Sequence, residues 1–393
     1  MQKGLWYHNN KYHELTKGSH MNSDKTMRLA SASMFFTGIC ATGAGVVLPR
    51  LIAQYGFSYD FSGLLLALLS AGNLLAALLC AALPQRLGMR RTALLLTSGF
   101  CLGYLLLGTL GAACAAGLGF FLVGVGKGSG LNCATVAGGS GGGDRTAKLS
   151  LLNAAFAAGA LCVPVVLFAA DGLPLWQTPL FVLAAAGGIV WLLFSRLYRT
   201  DQKSEKSAGE TAGFLKQRRF WYATAFLFGQ QCTEISVTGW LVTYFQDQGI
   251  LRGTYSTFVV TVIWLAMMTG RLLLTFVLPE TSGFRSLFRM SAATLLCYAL
   301  LLCAQTGPLA LLFLFLFGLS ISGAYPTAIA QSNRDLSHAS VGILLPVAST
   351  GAILMPYLIG VVAQRFGLRA GMACPLASIA IMAVFAVLLQ REN

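Results

Sequence analysis

Residues 62–83 have the sequence SGLLLALLSAGNLLAALLCAAL, which contains no charged side chain. A helix rises about 1.5 Å per residue, so a stretch of this length can cross the ~30 Å hydrocarbon core of a bilayer. The stretch ends at Pro84, and the basic segment PQRLGMRR follows it at 84–91. An uncharged apolar run followed by basic residues is typical of a helix that crosses a membrane and ends among the lipid headgroups.

The whole chain has the composition expected of many such runs. Of its 393 residues, 56% are hydrophobic and 10% are charged, and the mean hydropathy is +0.70. Water-soluble domains do not have this composition, so lipid is the expected solvent. Each crossing segment must be helical, because lipid offers no hydrogen-bond partner to free backbone groups. Twelve spans are predicted, at 29–49, 62–83, 93–111, 114–137, 147–170, 177–197, 220–246, 255–278, 286–304, 307–330, 339–363 and 369–389.

The basic residues are unevenly distributed between the predicted spans. Most of them lie in loops on the side of the two termini, which is the cytoplasmic side under the positive-inside rule. We therefore predict a multi-pass protein of the cell inner (cytoplasmic) membrane with both termini in the cytoplasm. The net charge is +14, but it is spread over short loops between apolar runs. This distribution does not favour a nucleic-acid partner.

An internal repeat divides the chain into two halves. Gly159 and Pro164 in the fifth span correspond to Gly351 and Pro356 in the eleventh, each at a separation of 192 positions. Parallel repeats of this kind are typical of transporters built from two similar halves. Residues 18–21, GSHM, have the sequence of a cloning scar. The predicted domains are an expression-tag remnant at 1–21, an N-terminal six-helix bundle at 22–197, a cytoplasmic linker at 198–218 and a C-terminal six-helix bundle at 219–393.

Metal, cofactor and enzyme chemistry have little support in the sequence. The ten cysteines show no CxxC spacing, and His338 is the only histidine beyond the predicted tag. We therefore expect no metal site, no disulfide framework and no cofactor. A membrane-embedded enzyme would need a reactive cluster that faces water, and the spans contain almost no acids from which to build one.

Three charged residues lie more than one helical turn from either end of a predicted span. Lys127 and Glu234 lie near the middle of the fourth and seventh spans, where a charged residue such as Lys or Asp costs ~2.5–3.5 kcal/mol on insertion scales. A function is therefore expected for both, and a purely structural ion pair is the alternative. Arg271 lies closer to the end of the eighth span, so snorkelling of its side chain to the headgroups is a sufficient explanation.

Several motifs resemble the major facilitator superfamily, and within it the fucose-permease-like branch of sugar–proton symporters. The loop QRLGMRR at 85–91 is similar to the superfamily's D-R-x-G-R-R/K loop, with Gln85 and Met89 in place of its Asp and first Arg. The resemblance implies an all-α membrane protein with twelve transmembrane helices in two pseudo-symmetric six-helix bundles. The residues that carry the branch resemblance are the glycines of the fourth span with Asn132, LNAAFAAGA at 152–160, Gly229, Glu234 and WLVTY at 240–244, Trp264 with Gly270-Arg271, and Tyr325-Pro326-Thr327.

The candidate site residues follow from this resemblance and from side-chain chemistry. Amides exchange hydrogen bonds with polar solutes, while aromatic rings cover C–H groups. Glu234 is the candidate for proton coupling, and Trp240 is expected to be an interfacial anchor. The substrate-binding candidates are Lys127, Asn132, Asn153, Gln230, Glu234, Tyr244, Trp264 and Tyr325. The gating candidates are Arg86, Gly88 and Arg90 in the loop after the second span, and Gly159, Pro164, Gly351 and Pro356 at helix kinks.

These features predict a secondary active transporter that moves a small polar organic solute, a sugar or an organic anion, by alternating access. The resemblance implies sugar uptake coupled to protons. Against it, the first span has no acidic residue and the fourth carries Lys127, which favours an anionic substrate or uncoupled transport. An exporter of drugs or amphiphiles is the alternative, and it would need a more apolar cavity. The expected partners are the substrate, the lipid bilayer and protons, and the chain is expected to be a monomer.

Overall fold

The computed structural model describes most of the chain. The backbone is described for residues 2–139, 145–171, 175–198, 215, 217–251, 253–276, 283–335 and 338–392. Side chains are described within 24–139, 148–169, 175–198, 215, 217–251, 253, 255–274, 285–329, 331–332 and 343–392. The linker predicted at 198–218 falls largely outside these ranges, and the domain boundaries remain predictions.

The apolar segments of the described chain are helical, because lipid offers their backbone N–H and C=O groups no hydrogen-bond partner. The first six spans are α1 (Gln2–Tyr55), α2 (Tyr59–Ala82), α4 (Met89–Thr109), α5 (Ala113–Gly139), α6 (Arg145–Asp171) and α7 (Thr178–Leu197), with the short α3 (Pro84–Leu87) after α2. The last six are α8 (Arg218–Asp247), α9 (Phe258–Phe276), α10 (Gly283–Cys303), α11 (Gly307–Ile321) with α12 (Ala324–Asp335), α13 (His338–Ser349) with α14 (Gly351–Phe366), and α15 (Leu368–Gly371) with α16 (Cys374–Arg391).

The twelve predicted spans are confirmed as helices or helix pairs. Among the described residues, 11 segments are long and apolar enough to cross a membrane. The remaining span is α8, whose middle carries Gln230, Gln231 and Glu234. Its polar groups lower its hydropathy, so α8 depends on neighbouring helices to separate these groups from lipid.

The tenth span, predicted as one helix, and the eleventh, predicted to be kinked at Gly351 and Pro356, are each divided into two helices. The tenth is broken between α11 and α12 at Ser322-Gly323, and the eleventh between α13 and α14 at Thr350. The Ser322 hydroxyl donates to Leu319 O at 2.8 Å and the Thr350 hydroxyl donates to Val347 O at 2.6 Å. These side chains compete with the backbone for helix carbonyls, and the glycine that follows each of them has a low helix propensity.

The packing within each half follows the same pattern. In the first half α5 packs on α2 and α4, and α1 packs on α6 and α7. In the second half α11 packs on α9 and α10, and α8 packs on α14 and α16. Gly159 of α6 lies against the backbone of α1 at Phe35, and Gly351 lies against α8 at Phe228. The pair found by sequence spacing therefore occupies matching positions.

The halves meet through α2 with α14, α6 with α9, and α1 with α8. We call the end of the bundle that carries Asp24 and Arg391 the terminal face, and the opposite end the distal face. Since successive spans alternate in direction, α2 and α9 begin at the distal face, whereas α8 and α14 end there. The space between the halves is lined by residues of α1, α2, α5, α6, α8 and α9.

Candidate functional site

A cavity of about 230 Å³ lies between the two halves. Charged side chains from three helices line it, namely Lys127 from α5, Glu234 from α8 and Arg271 from α9. The first half therefore supplies one charge and the second half supplies two. Lys127 and Glu234, which the sequence placed at the middle of their spans, are brought to the same cavity.

Glu234 is held by its own helix and attracted by two cations. Its carboxylate accepts a hydrogen bond from Gln230 Nε2 one turn earlier on α8. Arg271 and Lys127 both attract this carboxylate through space. In the described part of the chain, Lys127 has neither a hydrogen bond nor an ion pair within 4.0 Å. Its ammonium group thus lines the cavity with no counterion in contact.

Arg271 is a site residue that the sequence analysis missed. It lines the cavity, and its Nε donates to Ser322 O, at the break between α11 and α12, at 3.5 Å. The prediction that its side chain snorkels to the headgroups is therefore wrong. The signal was present in the sequence, because arginine inside an apolar span is a functional candidate by default.

Ser70 of α2 was also missed. It is 4% exposed, it lines the cavity, and its hydroxyl has no hydrogen-bond partner among the described residues. By contrast, Thr42 donates to Gly38 O at 2.8 Å and Thr238 donates to Glu234 O at 2.7 Å, so both threonine protons are used within their own helices. Buried hydroxyls are normally paired, so the Ser70 hydroxyl is available to a ligand.

The substrate-binding candidates divide into two groups. Lys127, Asn153, Glu234 and Trp264 line the cavity. The structure places Asn132, Gln230, Tyr244 and Tyr325 outside its lining.

Each candidate outside the lining has another environment. Asn132 donates to Gly128 O of its own helix at 2.7 Å. Gln230 is 0% exposed and holds Glu234. Tyr244 is buried against Phe245 in the core. Tyr325 is half-buried beside a satellite hydrophobic cluster, within electrostatic range of Glu234.

The gating candidates lie in two places. Arg86 and Arg90 are exposed at the terminal face, on either side of Gly88, whose φ of 82° lies in the region that favours glycine. Pro164 lies inside the unbroken α6 and Pro356 inside α14. Pro356 O accepts a hydrogen bond from Trp240 Nε1 at 3.1 Å, and a gating role for these residues remains a prediction.

Direct contacts between the halves close the distal side of the cavity. The backbone N–H of Tyr59 donates to Gln364 Oε1 at 2.9 Å, and the Tyr59 hydroxyl donates to Asp247 Oδ1 at 2.5 Å. The Tyr59 ring lies edge-on to Trp240 at 6.1 Å between centroids. We call Tyr59, Trp240, Asp247 and Gln364 the distal seal. Trp240 is 0% exposed, so the prediction that it is an interfacial anchor is wrong.

A second set of contacts joins α6 to α9. Thr261 donates to Leu161 O at 3.1 Å. The Phe156 and Trp264 rings meet edge-on at 5.5 Å between centroids, and Phe168 lies 6.5 Å from Tyr255. Together with the distal seal, these contacts define a conformation that is closed between the cavity and the distal face.

Comparison with known families agrees with this arrangement. Residues 30–342 match the family model of the Major Facilitator Superfamily. The chain belongs to this superfamily. No curated protein sequence matches the chain. Because the chain matches this family of membrane transporters, its general activity is membrane transport, and nothing in the family indicates catalysis.

Solved structures of other superfamily members have the same fold. A bacterial homolog of the human lysosomal transporter Spinster, in an inward-facing and occupied conformation, superposes with a TM-score of 0.75 at 12% identity over 94% of this chain and 97% of that chain. The nucleoside transporter NupG superposes with a TM-score of 0.72 at 15% identity, over 93% of this chain and 98% of that chain. These identities show the fold alone, and the fucose-permease-like branch is not confirmed.

Proposed function

We propose that this superfamily member is a secondary active transporter that moves a small organic anion through the cavity by alternating access. The observation that carries the proposal is Lys127, a cation at the cavity wall with no hydrogen bond or ion pair in the described chain. A charged Lys at this depth costs ~2.5–3.5 kcal/mol on insertion scales, so its presence favours a ligand that neutralises it. A neutral sugar, which the branch resemblance implies, would leave the two cations of the lining, Lys127 and Arg271, with only the carboxylate of Glu234 to balance them.

Proton coupling through Glu234 is part of the proposal. Glu234 is the carboxylate that lines the cavity, and both Lys127 and Arg271 attract it. An anion that binds at Lys127 competes for this attraction and so favours proton uptake by Glu234. Substrate and proton would then bind together, as symport requires.

The orientation of the protein in the membrane decides which side of the cavity is closed. We propose that the terminal face is cytoplasmic and that the protein lies in the inner membrane, because the basic loops lie on that face. The conformation closed at the distal seal would then face inward. Opening outward requires the contacts of Tyr59 with Asp247 and Gln364 to break.

Transport in proteoliposomes tests this function. A panel of organic acids, their neutral amides and glucose is offered with and without an imposed inward proton gradient. We expect accumulation of at least one acid and of neither the amides nor glucose. Lys127→Gln should lower counterflow of that acid about tenfold or more, as loss of a charged hydrogen bond does. Glu234→Gln should keep counterflow but lose accumulation driven by the proton gradient.

Lys25→Gln is the matched control, because Lys25 is exposed at the terminal face. It should transport as the unmodified protein does. If the protein accumulates glucose, and Lys127→Gln accumulates it equally well, the anion proposal is contradicted. That result would support the sugar symport implied by the branch resemblance. Full proton-driven accumulation by Glu234→Gln would remove Glu234 from the coupling mechanism.

A further inference from the structure

We propose that the transported anion is a monocarboxylate with an apolar body, aryl or branched aliphatic, and not a polyhydroxylated acid. This inference rests on the proposed function and names the substrate class of the same cavity. It follows from three features of the lining: a two-residue site for a carboxylate, a shortage of other polar groups, and an apolar wall.

Lys127 and Ser70 form the site for the carboxylate. Gly124 and Gly128 of α5 pack against the backbone of α2 at Leu69 and Asn73. Lys127 and Ser70 lie between these two contacts, so they are at the same depth, and both line the cavity. An ammonium and an unpaired hydroxyl that line one cavity at this depth can each donate a hydrogen bond to one carboxylate, and such charge-assisted bonds are the strong ones.

The cavity offers few further partners to a sugar-like body. Outside the charged residues, its polar lining side chains are Thr42, Ser70, Asn153 and Thr238. The protons of Thr42 and Thr238 are already donated to helix carbonyls, and Ser70 belongs to the carboxylate site. Asn153 alone remains with a free donor among these four. Several substrate hydroxyls would lose water here without an equivalent replacement, which opposes binding.

The rest of the wall is suited to an apolar body. Leu66, Leu69 and Leu131 line it from the first half, and Val260 and Ile263 from the second.

One aromatic pair completes this wall across the cavity. The Phe156 ring of α6 and the Trp264 ring of α9 meet edge-on at 5.5 Å between centroids. Aromatic rings in this geometry accept a further ring or a branched chain by stacking and edge contacts. The body of the substrate would therefore contact both halves.

The inference is tested by measuring the thermal stability of the purified full-length chain in detergent, with and without ligand. A ligand that binds the folded state raises the unfolding midpoint. The probes are benzoate, gluconate as a polyhydroxylated monocarboxylate, and benzamide as a neutral analogue of benzoate. We expect benzoate to bind at least about tenfold more tightly than gluconate or benzamide, as a well-placed charged contact or apolar body allows.

Two variants locate the binding site, each with a matched control. Ser70→Ala should weaken benzoate binding about three- to tenfold, the range for loss of one hydrogen bond. Ser98→Ala, which removes a hydroxyl bonded to its own helix outside the cavity, should not. Trp264→Ala should weaken benzoate binding about tenfold or more, whereas Trp221→Ala, at a 51% exposed position, should leave it unchanged.

The outcomes separate this inference from the proposed function. If gluconate binds as tightly as benzoate and Lys127→Gln abolishes its binding, the substrate does not need an apolar body. The proposal of anion transport would still hold. Benzamide that binds as tightly as benzoate would contradict anion recognition itself. The absence of any benzoate effect, or an unchanged benzoate affinity in Ser70→Ala and Trp264→Ala, would overturn the inference.

Discussion

The fourth span of the first half and its equivalent in the second differ in continuity. α5 is one unbroken helix from Ala113 to Gly139, whereas the corresponding span is divided into α11 and α12 at Ser322-Gly323. Gly124 and Gly128 bring the backbone of α5 directly against α2, and small residues allow this close approach. The break in the second half instead presents Ser322 O to Arg271. The fourth span is therefore one continuous helix, and its equivalent is divided next to Arg271, which lines the cavity.

The fifth span and its equivalent differ in the same way. α6 continues through both Gly159 and Pro164, whereas α13 and α14 are separated at Thr350, next to Gly351. Ser322 and Thr350 keep helical φ and ψ angles, so each interruption is local. We therefore expect the backbone amides at these two positions to be less protected in the second half than in the first.

The largest expected effect concerns the close packing of the first half. A Cβ at Gly124 would overlap Leu69 O, whereas a Cβ at Gly318 of α11 would lie 2.9 Å from Ala266 Cβ and 3.1 Å from Ile263 O. Since overpacking costs typically 1–3 kcal/mol, Gly124→Ala should lose about 3 kcal/mol and Gly318→Ala about 1 kcal/mol. Thermal unfolding of the purified variants in one detergent measures both.

Gly188 supplies the control for this pair. A Cβ there would meet no atom within 4 Å, and alanine has the higher helix propensity. Gly188→Ala should therefore be neutral or stabilising by up to ~1 kcal/mol. Equal losses for Gly124→Ala and Gly318→Ala would show that the two halves are packed with the same tightness.

The second effect concerns the helix breaks. Ala324 and Tyr325 are the first residues of α12, so their N–H groups lie at a helix start, while Asn132 and Cys133 lie at the equivalent positions inside α5. Amides at the break should exchange with solvent deuterium about tenfold or more faster, a difference of about 1.4 kcal/mol in opening free energy. The difference in exchange rate is measured by hydrogen exchange of the protein in nanodiscs. Mass spectrometry then compares the peptides that cover 126–138 and 318–330. Equal amide protection in the two peptides would contradict the lower protection that we expect at the break.

The smallest effect concerns the distal seal, where the two halves hold each other. Tyr59→Phe removes the hydrogen bond to Asp247, which is worth about 0.5–1.5 kcal/mol, so the population open on the distal side should rise about two- to tenfold. The readout is the rate at which an impermeant maleimide, applied from the distal side, labels Thr42→Cys in a background free of native cysteines. Thr42 lines the cavity.

Tyr357→Phe is the control for the seal, since Tyr357 lies on α14 and is 44% exposed. Its labelling rate should match that of the unmodified background. A Tyr59→Phe rate equal to that control would mean that apolar packing, with no contribution from this hydrogen bond, keeps the distal side closed.

The depth of a residue in the membrane was predictable from its sequence position, but its direction around the helix was not. Lys127 and Glu234 were placed at mid-span by counting residues, and both line the cavity. Tyr244 and Gln230 were chosen for their chemistry, and both are buried in the protein outside that lining. Ser70 was overlooked, because one serine in an apolar run gives no signal until its neighbours are known.

Helix interruptions were only partly predictable. A kink was predicted in the eleventh span at Gly351 and Pro356, and the structure divides this span one residue before Gly351, at Thr350. The break at Ser322-Gly323 was not predicted, because a serine and a glycine in an apolar run are equally compatible with close packing. The hydrogen bond that Arg271 donates to Ser322 O joins α9 to this break, and no spacing within the sequence indicates that contact.

The sequence by itself determined the number of spans, their alternating directions and the two-fold repeat. These follow from local hydropathy and from the need of every backbone group in lipid to find a partner within its own helix. The tertiary structure alone decided which faces of the helices meet. Steric fit between helices sets the rotation of each helix about its axis, as when the glycines of α5 pack on α2 and both Ser70 and Lys127 line the cavity. No local property of the chain encodes that fit, because each helix supplies only half of it.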